Sequence, residues 1–136
     1  MGTSFWEKTK SATLQVQVKA LFSTQKYEDA IEKAEEALRL DPNNIAVQIL
    51  LGRAASAVNY RHYAIATFED VIRMNAGGNT KQLVEASREL ALAYESDHRI
   101  SEALKVWEAV IKYVPGDSDA ARKIRALSLH IGSLAK

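Results

Sequence analysis

Three alanines, Ala30, Ala64 and Ala103, stand at the same place in three related segments: YEDAIEKAEEALRLDPNN (27–44), RHYAIATFEDVIRMNAGG (61–78) and ISEALKVWEAVIKYVPGD (100–117). The alanines are 34 and then 39 residues apart. A near-constant period in this range belongs to stacked helical hairpins, where each unit buries its apolar face against a neighbour. The apolar positions step by three and four, and no run alternates as a strand would. Pro42 and Pro115, the chain's two prolines, both lie outside the periodic segments.

The stops and caps predict seven helices. Ser4 with Glu7 has capping-box spacing and opens a first helix to about Phe22. A second runs from Tyr27 to Leu40, where Asp41-Pro42 ends it, because the residue before proline avoids the helical region. Asn43 or Asn44 caps a third, to about Val58, and a fourth runs from Arg61 to Asn75 before Gly77-Gly78. Asn79 caps a fifth, to Ser96. The sixth covers Ile100 to Tyr113, and the last starts near Asp117 or Ser118. The five residues that stretch the second interval to 39 are placed at Asn79 to Leu83, as an added helical turn.

With this register the chain resembles the tetratricopeptide-repeat (TPR) family. The family's Ala-x3-aromatic element is present as Ala64 with Phe68 and Ala103 with Trp107, while the first repeat has Ala34 in place of the ring. Its Leu-Gly pair is Leu51-Gly52, weakened to Leu90-Ala91 and replaced by Gln17-Val18; its later aromatic survives as Tyr94. The closing proline is Pro42 and Pro115, with Ala76 in the middle repeat. The resemblance implies an all-α, right-handed solenoid of three antiparallel helix pairs: 1–10 as an N-terminal extension, repeats at 11–44, 45–78 and 84–117, an insertion at 79–83, and a capping helix at 118–136. It also explains the alanines. Helix axes reach the short end of the usual ~8–10 Å separation only where contact side chains are small. In the last helix Ala120, Ile124, Leu127, Ile131 and Leu134 form one apolar stripe, read as the cap's inner face.

Lys+Arg number 18 against 17 Asp+Glu, so no global field draws the chain to nucleic acid or to an anionic membrane. Without cysteine, disulfides and thiol chemistry are excluded. No apolar run approaches the ~18 residues of a membrane span, and the N-terminus lacks a secretory apolar stretch, so a cytoplasmic protein is expected. His62, His98 and His130 are far apart without a helical i,i+4 partner, and Glu35-Glu36 and Glu69-Asp70 are adjacent helix residues that point apart. No phosphate loop or nucleophile arrangement is visible. The expectation is therefore a non-enzyme without metal or cofactor.

In TPR proteins the first helices of the pairs line a concave groove that takes an extended peptide or a partner helix. Here that stripe comprises Lys19 and Phe22, Ile49 and Arg53, Arg88 and Leu92, and Arg122. The resemblance implies a protein-interaction module whose partner is a peptide or helix, with acidic residues facing the basic row; Glu85, Glu95 and Asp119 stand near enough in sequence to neutralise it. The chaperone-terminus clamp of some TPR domains needs asparagine where this chain has Lys19 and Leu50. Two rival readings remain. One is a self-associating scaffold joined through the terminal helices, where Leu129 lies off the stripe and Phe5-Trp6 offers an aromatic handle. The other is an RNA-binding hairpin repeat of the pentatricopeptide kind, disfavoured by a 34-residue interval and a net charge of +1.

Overall fold

The computed structural model describes residues 4–75 and 77–134, the side chain of Leu134 excepted, so Ala76 and the last residue of the terminal stripe fall outside the description. The described residues form seven helices and no strand: α1 (Phe5–Ser23), α2 (Tyr27–Leu40), α3 (Ile45–Ala57), α4 (Arg61–Met74), α5 (Thr80–Ser96), α6 (Ile100–Tyr113) and α7 (Ser118–Leu134). The helix ends follow the cap chemistry. Ser4 Oγ accepts from the Glu7 amide at 3.2 Å, Asn44 Oδ1 from Val47 at 3.2 Å, Asn79 Oδ1 from Gln82 at 3.1 Å and Asp117 Oδ1 from Ala120 at 2.9 Å. Each satisfies an amide that the first helical turn leaves without a partner.

One device joins the helices of each hairpin. Gln25, Asn59 and His98 take φ of 62°, 64° and 60°, and each is followed by a six-residue backbone closure. Lys26 N–H donates to Leu21 O at 2.8 Å, Tyr60 to Ala55 O at 2.9 Å and Arg99 to Tyr94 O at 2.8 Å. This is the Schellman stop, here built without glycine. The three residues keep the 34- and 39-residue intervals of the alanines.

The chain divides into two compact units, Met1–Thr67 and Phe68–Lys136, and the boundary falls within α4. In the first, α2 packs against both α1 and α3, and α1 also touches α3. In the second, α6 packs against both α5 and α7. Ala30, Ala34 and Ala37 on α2 are fully buried, as are Ala64 on α4 and Ala103 on α6, and Phe68 and Trp107 are buried with them. A helix that serves two neighbours needs small contact residues, so the alanines are structural. Ser11 fits the same packing: its buried hydroxyl donates to Ala37 O at 3.2 Å, which ties α1 to the end of α2.

Candidate functional site

In the first unit, Lys19 is exposed, Arg53 is half-buried and Phe22 is half-buried, its ring edge-on to Tyr27 at 5.4 Å between centroids. Phe22 thus closes the α1–α2 turn as well as bordering the stripe. Ile49 is a correction: it is only 3% exposed and presents no surface to a ligand. Both α1 and α2 pack on α3, so its buried arc runs past Ala55 and Gly52 to Ile49, while Leu50 is only half-buried. Gln15, one turn before Lys19, accepts from Asn44 Nδ2 at 2.9 Å, so the cap of α3 also reaches α1.

In the second unit, carboxylates meet the basic row. Arg88 on α5 pairs with Asp117, whose other oxygen caps α7; the Asp117 side chain is 8% exposed against 31% for Arg88. Two turns along α5, Glu95 accepts from Trp107 Nε1–H at 2.8 Å and from Lys123 Nζ at 2.9 Å. α5 therefore holds α7 at two points of opposite sign, and one of them also orients the buried Trp107 ring. Arg122 pairs with Asp119 at 2.8 Å on the solvent side, where its side chain is 62% exposed. Hydrogen bonding from Arg122 holds the Asp119 carboxyl below the usual carboxylate range. Leu92, one turn from Arg88, is 44% exposed and open beside these charges.

The sequence reading set Arg88 and Leu92 on the groove-lining stripe with Glu95 nearby, but named neither Asp117 nor Lys123 as partners. The available signal was Asp117's position as a helix cap, which fixes a carboxylate at the start of α7. Among the described residues no group of three or more His, Cys, Asp or Glu is placed to hold a metal ion, and no helix is long and apolar enough to cross a membrane.

Residues 19–44 match the sequence model of the tetratricopeptide repeat. This window holds the last turn of α1, its glycine-free stop and all of α2. That stretch is similar to one tetratricopeptide repeat (TPR). Solved TPR domains superpose along nearly its whole length. The N-terminal domain of stress-induced protein-1 (STI-1) from C. elegans does so with a TM-score of 0.83 at 15% identity, covering 92% of this chain and 99% of that one. The first TPR of Spaghetti (RPAP3), bound to the HSP90 peptide SRMEEVD, gives 0.82 at 19% identity, covering 92% and 95%. The second TPR domain of human RPAP3, in complex with the HSP70 peptide SGPTIEEVD, gives 0.79 at 17%, covering 90% and 98%. At these identities the likeness is one of fold. No curated protein sequence matches the chain.

Proposed function

We propose that this chain is a non-enzymatic interaction module that binds a peptide segment or helix of a partner protein. Its ligand-facing residues are Lys19, Phe22 and Arg53 in the first unit and Arg88, Leu92 and Arg122 in the second. The observation that carries the reading is Leu92: an open aliphatic side chain on a rigid helix, one turn from a guanidinium that Asp117 holds in place. A fixed apolar anchor beside fixed charge is how peptide-recognition surfaces combine affinity with orientation. Structurally similar domains bind peptides ending Glu-Glu-Val-Asp, which supports a peptide ligand with acidic residues. Lys19 and Arg122, both exposed, are the cations suited to meet those acids, since Arg88 is engaged internally. A cytoplasmic, adaptor-like role follows this reading.

The test is affinity capture of partners from the native cell, followed by titration of the captured segment. Leu92→Asp and the double variant Lys19→Glu/Arg122→Glu are expected to weaken binding at least tenfold with the melting temperature unchanged. Unchanged affinity in both would remove the ligand from these faces. The peptide SRMEEVD serves as a control, because Lys19 and Leu50 stand where the chaperone-terminus clamp needs asparagine. Tight binding of that control would replace this reading with the clamp.

A further inference from the structure

The outward face of α1 is unlike that of any other helix in the chain. Phe5, Thr9, Ala12, Val16 and Ala20 follow one another by three or four residues, with Thr13 beside Ala12, and all are exposed, Phe5 at 73% and Val16 at 67%. The threonine hydroxyls do not make the face polar. Thr9 Oγ1 donates to Phe5 O at 2.9 Å and Thr13 Oγ1 to Thr9 O at 3.2 Å, which uses their donors on the helix's own backbone. Trp6, 77% exposed and edge-on to Phe5 at 5.6 Å, extends the face at its start. A contiguous apolar strip of this length on a soluble fold marks a surface that is covered in use.

The chain's own repeats indicate what covers it. The repeat intervals of 34, 39 and 34 residues carry Thr13 and Ala20 onto Val47 and Ala54 of α3, Ala86 and Ala93 of α5, and Ala120 and Leu127 of α7. All six counterparts are buried. In α3 and α7 the helix immediately before packs upon them, α2 in the first unit and α6 in the second. Only α1 lacks a preceding helix among the described residues, and only there are these positions open. The side chains are small enough for another helix to approach closely.

Charge narrows the occupant. Lys8, Lys10 and Lys19 are all exposed on α1, and Glu7 is its single acid. A second copy is a poor match, because α7, the other terminal helix, is also basic: Arg122, Lys123 and Arg125 against Asp119 alone. We propose that the outer face of α1 docks an acidic amphipathic helix of a partner protein, seated on α1 as α2 seats on α3. The matching chemistry already exists within the chain, since α2 has five acidic and two basic residues around an alanine face. Apart from Lys19 at its edge, this surface lies outside the ligand-facing residues above.

A synthetic peptide of the α2 sequence YEDAIEKAEEALRL is therefore the probe, fluorescein-labelled and titrated into the full chain while anisotropy is followed. Saturable binding is expected, weakened at least tenfold by Val16→Asp and at least fivefold when the peptide carries Glu28→Lys, Glu32→Lys and Glu35→Lys. Should Val16→Asp lower the melting temperature, Ala12→Glu, at another exposed position, supplies the same comparison. No saturable binding, or binding indifferent to both α1 variants, overturns the proposal. So does concentration-dependent dimerisation abolished by Val16→Asp, which assigns the face to a second copy. Vesicles of phosphatidylserine and phosphatidylcholine that bind the chain through the same residues, with the peptide inert, assign it to a membrane surface.

Discussion

Gln25, Asn59 and His98 sit in the left-handed region, where a side chain costs roughly 1–2 kcal/mol unless it is glycine or, to a lesser extent, asparagine. Glycine's extra freedom in the unfolded chain takes back about 0.5–1 kcal/mol. Gln25→Gly and His98→Gly are therefore expected to stabilise the fold by about 0.5–1 kcal/mol each, and Asn59→Gly by less, as read from urea unfolding midpoints. The two-glycine stop after α4 works differently. Gly77 has φ of 78°, and at Gly78 an added Cβ would fall 2.4 Å from Asn75 Oδ1, while Asn75 Nδ2 donates to Asn79 O at 3.1 Å. Gly78→Ala must displace that amide, at about 1–3 kcal/mol, whereas Gly116→Ala meets nothing within 4 Å and is expected to melt with the parent. Calorimetry of the pair distinguishes crowding from a generic glycine effect. Gly77-Gly78 was legible in the sequence as a stop because its residues are helix breakers. The left-handed form of the three glycine-free turns was not: glutamine and histidine carry no turn signature, and the closure is made by backbone amides.

At the scale of the helix, α7 and α3 differ in the face they leave to solvent. Gly52 and Ala55, buried on α3, become Arg125 and Ser128 on α7, both exposed. A polar outer face of this kind is what a capping helix would need. Its inner side is held by Ala120 and Leu127 and by the ion pairs from α5. Removing Arg88 strands a nearly buried Asp117 carboxylate, so Arg88→Ala is expected to cost about 1–3 kcal/mol, given that a buried pair broken on one side costs about 3–5 kcal/mol and Arg88 is partly solvated. Arg122→Ala breaks an exposed pair, and the unfolding midpoint is expected to stay close to that of the parent. Equal unfolding midpoints for the two variants would contradict the arrangement. Helix existence and ends were legible from Ser4, Asn44, Asn79, Asp117 and the prolines, since caps act locally. Which face of α3 is buried was not, because that depends on α1 and α2 packing upon it together, and so Ile49 was assigned to the surface.

For the molecule as a whole, a net charge of +1 leaves stability and recognition to local pairs. The alkaline limb is set by two tyrosines. Burial, then a hydrogen bond to a carboxylate, pushes the Tyr63 and Tyr94 hydroxyls up to about 12; Tyr63 donates to Glu35 at 2.6 Å and Tyr94 to Glu69 at 2.8 Å. Between pH 10 and 12 the folded chain thus holds protons that the unfolded chain has released, so stability falls as pH rises through that window. Ultraviolet titration is expected to show two late-ionising tyrosines in the folded state and none in denaturant. Architecture was legible because a repeat states its packing several times over. The ligand was not, because side chains left outside the core are under no such periodic constraint. The two tryptophans divide between the units: Trp6 lies in solvent on α1, and Trp107 is buried with its indole N–H on Glu95. The unlabelled protein consequently carries a two-channel optical reporter, in which red-edge emission follows occupancy of α1 and blue-edge emission follows the melting of the second unit.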